Sequence, residues 1–115
     1  MRELHATQSI LTKALLSARE SDAKRIKSLQ LAIGEISELD QASVQQQWDQ
    51  LSRGTPAEQA QLYFRLIPAE VQCMACFMKY HPLDGKINCP YCGSYGAKIL
   101  AGEEFYLEAI EMDHE

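Results

Sequence analysis

Four cysteines in the pattern Cys73-x-x-Cys76, twelve intervening residues, Cys89-x-x-Cys92 constrain this chain more than any other feature. Each Cys-x-x-Cys pair can turn both sulfurs toward one point, and two pairs close a tetrahedral thiolate set, the usual coordination of structural zinc. The second pair reads Cys89-Pro90-Tyr91-Cys92-Gly93. Proline presets that turn, and glycine accepts a positive φ just after the last ligand. No cysteine is left over in the 115 residues to argue for a different pairing. Two disulfides would suit a secreted chain, and a redox Cys-x-x-Cys would need only one pair. The start, Met1-Arg2-Glu3-Leu4-His5, leads into an amphipathic pattern rather than an apolar signal segment. No apolar run approaches the length of a bilayer span. A reducing cytoplasm with metal-bound thiolates fits these facts together.

The length suits one compact domain, or a small domain with a smaller one attached. The stretch around the cysteines is too short to build its own core, so zinc must supply much of its folding energy, on the order of 10 kcal/mol. Net charge is −5, and six acidic residues with no lysine or arginine fall between Glu103 and Glu115. The remainder is close to neutral. That is a poor footprint for a nucleic-acid binder, which neutralises phosphates with clustered cations. The one basic cluster, Lys24-Arg25-Lys27, falls where a helix should end and a strand begin, and reads as a solvated turn.

Ile10, Leu11, Ala14, Leu15 and Ala18 share a face at helical spacing and predict a helix over 6–19. Leu29, Leu31 and Ile33 alternate with polar or small residues in a strand over 26–33 that Gly34 closes. Asp40 is placed to cap a second helix over 41–52, with Val44, Trp48 and Leu51 as its apolar stripe, and Arg53-Gly54-Thr55-Pro56 breaks it. A second strand carries Leu62, Phe64 and Leu66 on one face and stops at Pro68. Short strands are expected around 77–81 and 97–100. A last strand over 104–111 sets Phe105, Leu107 and Ala109 against Tyr106, Glu108 and Ile110. The simplest packing is α+β: a three-stranded sheet with two helices on one face, plus an inserted zinc-ribbon-like module. The expected domains are 1–68 with 101–115, and 69–100.

Four thiolates leave zinc no open position for water or substrate, so the site is structural. There is no Ser/His/Asp set, phosphate-cradling glycine loop or His-Glu-x-x-His motif, and Glu35 and Glu38 read as solvated charges at a strand end. The chain is not expected to be an enzyme. His81 reads as an exposed loop histidine, although it could substitute for a cysteine in a rearranged site. His114 stands next to the C-terminus. His5 is near the amine of Met1 and beside Glu3, a mixture of donors that a tetragonal Ni(II) or Cu(II) site prefers, although a metal-free histidine in a first helical turn is the plainer reading.

Several motifs then join in order along the chain: Met1-x-Glu3-Leu4, Gln8-Ser9-Ile10, Ile33-Gly34-Glu35-Ile36-Ser37, Ser52-Arg53-Gly54-Thr55, and Cys89-Pro90-x-Cys92-Gly93-Ser94 with its partner pair. Together they resemble the HypA/HybF family of hydrogenase nickel-incorporation proteins over the whole length. The resemblance implies a nickel-binding domain of two helices on a three-stranded sheet, with an inserted zinc domain. It implies a metallochaperone delivering Ni(II) to the large subunit of a [NiFe]-hydrogenase, working with a nickel-handling GTPase or related assembly proteins. Such proteins act as monomers or dimers, and some also supply urease. No nucleic acid and no membrane enter this picture.

One residue departs from the family pattern. Family members begin Met-His-Glu, and that histidine joins the N-terminal amine and backbone amides around nickel. Here the second residue is Arg2. A guanidinium stays cationic and offers no lone pair, so it cannot ligate Ni(II). In one reading Met1, Glu3 and His5 form an altered nickel site. In a second, the chain has lost tight nickel binding and acts as a zinc-stabilised accessory protein on a hydrogenase-like subunit. A zinc-ribbon module for nucleic acid or transcription is the third, and the charge distribution argues against it.

Overall fold

A computed structural model describes residues 2–82 and 88–114. Its elements run α1 (Arg2–Glu20), β1 (Arg25–Gly34), α2 (Gln41–Leu51), β2 (Gln61–Ile67), β3 (Glu70–Cys73), β4 (Lys79–Tyr80), β5 (Ala97–Ala101) and β6 (Phe105–Asp113). The strands form two three-stranded sheets, ordered β2-β1-β6 and β4-β3-β5. No helix is long and apolar enough among the described residues to cross a membrane. The α+β expectation, two helices with a three-stranded sheet and a separate cysteine module, holds.

The chain divides into two compact units. The first comprises Met1–Ala32, Leu39–Arg65 and Phe105–Glu115; the second comprises Ile33–Glu38 and Leu66–Glu104.

In the first unit α1 buries Thr7, Ile10, Leu11, Ala14 and Ala18, a three-and-four spacing that makes one face. Asp22 takes a positive φ of 57° just past the helix, and the Ala23 N–H reaches back to the Ala18 carbonyl at 2.8 Å. This closes the end as a Schellman-type cap, with aspartate in the place glycine usually takes. Asp40 caps α2 as its spacing predicts: the carboxylate accepts the Ser43 N–H at 3.1 Å and the Ser43 hydroxyl at 3.0 Å. After the helix, the Thr55 hydroxyl donates to the Ser52 carbonyl at 2.6 Å and accepts the Ala57 N–H at 3.1 Å, which locks the turn. Trp48, 1% exposed, packs with Leu29, Leu31, Val44 and the buried face of α1 in one core. A fully buried leucine such as Leu29 or Leu31 contributes about 2–3 kcal/mol.

Strict alternation fails in the two outer strands. Leu66 is 51% exposed, so the buried face of β2 carries Leu62 and Phe64 but not Leu66. In β6 the side chains on the core are Phe105, Leu107, Ile110 and Met112. The step of three from Leu107 to Ile110 shifts the parity, so Ala109 and Ile110 exchange the faces that a period of two assigns them. The basic cluster also differs from the solvated turn expected of it. Arg25 and Lys27 lie in β1, where Arg25 meets Asp113 at 2.8 Å and Lys27 meets Glu111 at 4.0 Å. Arg65 of β2 pairs with Glu108, and its guanidinium also reaches the Tyr106 hydroxyl at 3.3 Å. The acidic end of the chain thus meets basic partners on its own sheet.

In the second unit β3, which the sequence pattern did not reveal, is the central strand. It pairs antiparallel with β4 (Val71↔Tyr80, Gln72↔Lys79) and with β5 (Gln72↔Lys98, Cys73↔Ala97). The expected strand over 77–81 shrinks to Lys79–Tyr80, because residues before it form the turn that holds Cys76. Residues 33–38 belong to this unit through backbone bonds: Gly34 N–H to the Glu104 carbonyl at 2.6 Å and Ile36 N–H to that of Gly102 at 2.8 Å. A Cβ on Gly34 would stand 2.0 Å from the Gly102 oxygen, so only glycine permits this approach. Glu35 is not merely solvated; its carboxylate accepts the Ala69 N–H at 3.2 Å.

Candidate metal centre

Cys73 ends β3 and Cys76 follows in a tight turn, while Cys89 and Cys92 occupy a second turn built the same way. In the first, the Cys73 N–H donates to the Met78 carbonyl (2.9 Å) and the Phe77 N–H to the Cys73 carbonyl (3.0 Å). In the second, the Cys89 N–H donates to Ser94 (2.8 Å) and the Gly93 N–H to Cys89 (2.9 Å). The residue after each second cysteine adopts a positive φ, 64° at Phe77 and 80° at Gly93. Gly93 was foreseeable from its residue type. Phe77 was not: an aromatic side chain there bears strain of about 1–2 kcal/mol that glycine avoids.

The four sulfurs lie within 4.8 Å of one another. Cys73 and Cys92 are 3.6 Å apart, as are Cys76 and Cys89, and all four are free thiols. Sulfurs placed 2.3 Å from a tetrahedral zinc ion are separated by about 3.8 Å, so the geometry fits that ion. Backbone N–H groups of Ala75 and Cys76 approach the Cys73 sulfur at 3.3 and 3.4 Å, and that of Tyr91 approaches Cys89 at 3.4 Å. Such donors stabilise thiolate over thiol.

The four groups cannot all ionise alike at such spacing. The Ser94 hydroxyl and amide, with Cys73, bring Cys92 down to about 6. The Cys76 and Ala75 amides bring Cys73 down against its burial. Cys76 is pushed up to about 12, its Met78 amide bond outweighed by burial and the neighbouring sulfurs. A divalent cation resolves this conflict by taking all four as thiolates. Zinc held by Cys73, Cys76, Cys89 and Cys92 would supply structural closure: Val71, Cys73, Tyr80 and Cys89 are the buried cluster of the unit, too few to hold a sheet unaided.

His81 does not join this group. Its Nδ1 lies 2.8 Å from the Ala69 carbonyl, which can only accept, so Nδ1 carries the proton and donates. His114 lies exposed beyond β6. Of the nickel candidates, Met1 lies outside the described residues. Glu3 and His5 both sit in the first turns of α1, half-buried and exposed respectively. Two residues apart on a helix, they point about 200° apart around its axis and do not converge. Glu3 instead accepts the backbone N–H of Asp40 at 3.3 Å. That contact spans 37 positions and has no signature in the sequence.

Known proteins agree with this architecture. The family model described as hydrogenase/urease nickel incorporation, metallochaperone, HypA matches residues 1–112. Hydrogenase maturation factor HypA from Dehalococcoides mccartyi strain 195 is 36% identical over 115 residues, covering 100% of this chain and 97% of that protein. Its counterpart from Caldanaerobacter subterraneus is 32% identical over 114 residues, covering 98% and 100%. The solution structure of the nickel metallochaperone HypA from Helicobacter pylori shares the fold, with a TM-score of 0.70, 23% identity and 98% of both chains covered. With a full-length family match and a four-sulfur centre in place, this chain belongs to the HypA family.

Proposed function

We propose that this protein is a hydrogenase maturation factor that carries Ni(II) to the large subunit of a [NiFe]-hydrogenase in the cytoplasm, in concert with a nickel-handling GTPase. The observation that carries this reading is the family match over residues 1–112. The chain acts as a carrier and not as an enzyme: its only metal-ready cluster among the described residues is a closed four-sulfur set with no position for a substrate. In this reading the nickel-handling domain is drawn from residues 1–68 with 101–115 and the zinc module from 69–100, although 33–38, 66–68 and 101–104 group by contact with the cysteine unit. The protein works as a monomer or dimer.

Arg2 makes the nickel site the point of departure. Met1 supplies its amine and Glu3 its backbone amide or carboxylate, and His5 can add an imidazole only if the first turn of α1 unwinds. The same geometry favours a second reading, in which tight nickel binding is lost and the chain serves as a zinc-stabilised accessory on a hydrogenase-like subunit.

Calorimetric titration of the zinc-loaded chain with Ni(II) separates the two. Weak binding that Arg2→His tightens supports a carrier with a degraded site. Tight binding abolished by His5→Ala assigns the imidazole to His5. If neither the parent nor Arg2→His binds Ni(II), the accessory reading stands. Purified hydrogenase large subunit should be retained by the immobilised chain; retention of nucleic acid or RNA polymerase instead would overturn the class.

A further inference from the structure

The register of the second sheet lines up three outward side chains. Gln72 of β3 stands directly opposite Lys79 of β4 on one side and Lys98 of β5 on the other. Val71 and Cys73, the neighbours of Gln72 in sequence, are buried, so this row lies on the other face of the sheet from the sulfur centre. Both lysines are exposed, and neither has an ion-pair partner among the described residues. Glu70, two residues before Gln72, pairs with neither. The contrast with the first sheet is sharp: there Arg25, Lys27 and Arg65 all meet carboxylates of β6. Two cations aligned on one small sheet, with no ion pair among the described residues, point to an anionic partner.

A second observation adjoins the row. The Gln72 side-chain amide donates to the Phe77 carbonyl at 3.0 Å, which ties the row to the first cysteine turn. Phe77 is 67% exposed and is held at the positive φ where the matching turn has Gly93. Met74 and Met78 beside it are 59% and 46% exposed. A strained backbone that presents an aromatic side chain to solvent between two adaptable methionines marks a contact surface.

We propose that Lys79, Gln72 and Lys98, with Phe77 as apolar anchor, form the docking face for an acidic, apolar-anchored segment of a partner protein. The lysine backbones lie two strand spacings apart, about 10 Å. An extended chain crossing the three strands sets alternate side chains about 7 Å apart, and the flexible lysine stems take up the difference. Gln72 offers a neutral hydrogen-bonding group between the two ion pairs. Two cations are too few for a duplex or an anionic bilayer, whose binding accumulates over many contacts. The proposal does not depend on nickel being carried.

Fluorescence anisotropy tests it on the full zinc-loaded chain with a labelled hexapeptide of a leucine–phenylalanine pair flanked by two glutamates on each side. Control peptides carry glutamine or lysine in place of glutamate. The acidic peptide should bind about tenfold tighter than the glutamine peptide and lose that margin in high salt. The double variant Lys79→Glu with Lys98→Glu should reverse the preference toward the lysine peptide, an outcome that a merely structural role would not produce. Phe77→Gly should weaken the acidic peptide while zinc content stays at one ion per chain. Equal binding of the acidic and glutamine peptides, or no reversal in the double variant, overturns the proposal. Binding to phosphatidylserine vesicles or to an oligonucleotide in preference to the acidic peptide overturns it in favour of those surfaces.

Discussion

The two units answer the same physical problem differently. The first buries Trp48, Leu29, Leu31, Val44 and a helical face in one apolar core, and sets its basic side chains against the acidic residues of β6. The second has a buried cluster of Val71, Cys73, Tyr80 and Cys89, and leaves Met74, Phe77, Met78, Tyr91 and Tyr95 exposed. Apolar burial stabilises the first; ligation of four sulfurs must stabilise the second. A unit held by metal needs few of its side chains for a core. The rest are free to face a partner, which is the lesson of the contrast.

Removal of zinc probes this difference with the largest expected effect. Chelation, or Cys76→Ser, should abolish amide protection across 66–82 and 88–104, a loss on the order of 10 kcal/mol of metal-coupled folding. Protection in α1, α2 and β1 should persist in hydrogen exchange. Collapse of both units together would show that they fold as one and would break the comparison.

Trp48→Ala is the reciprocal test. Losing this buried side chain should cost the first unit about 3–5 kcal/mol. Thermal unfolding followed by circular dichroism should fall steeply, with zinc stoichiometry unchanged. Zinc loss in this variant would argue against independent stabilisation.

Phe77→Gly sharpens the comparison within the second unit. Glycine relieves the positive φ, which favours the first turn by about 1–2 kcal/mol, less up to about 1 kcal/mol for glycine's unfolded-state entropy. Zinc affinity measured by competition with a chelator should rise or stay level. Gly93→Phe should lower it. A fall on Phe77→Gly would mean that the aromatic ring stabilises its own turn.

The smallest effect concerns the sheet charges. The Arg65 hydrogen bond holds the Glu108 carboxyl below its ordinary value. A depressed carboxyl contributes stability above the unfolded pKa of about 4.3 and loses it as pH falls through the lower folded value. Glu108→Gln should therefore melt slightly below the parent at pH 7, and the two should converge in strong acid. The pair is exposed, so the difference at pH 7 is small. A constant difference at every pH would assign the effect to packing instead.

Much of this was legible because it is local. The Cys-x-x-Cys spacing, the Asp40 cap and Gly93 each act over a handful of residues, and the helical face of Ile10, Leu11, Ala14 and Ala18 repeats within one element. Parity in β2 and β6 was not legible past Phe64 and Leu107, since burial there depends on what each strand packs against. β3 escaped notice because four residues, Glu70–Cys73, are too few to display a period. For the nickel candidates, residue chemistry identified Glu3 and His5, but the helix starting at Arg2 decides that they face apart.

By itself the sequence determined the four-cysteine cluster, the α+β class and the family, because ligand spacing, periodicity and residue type are properties of the chain. Tertiary structure alone decided which charges are paired. Arg25 meets Asp113 across 88 positions and Arg65 meets Glu108 across 43. It alone brought Gly34 against Gly102 and aligned Lys79, Gln72 and Lys98 from three separate strands. Strand order and register create these neighbours, and no local pattern in the chain encodes a register between segments so far apart.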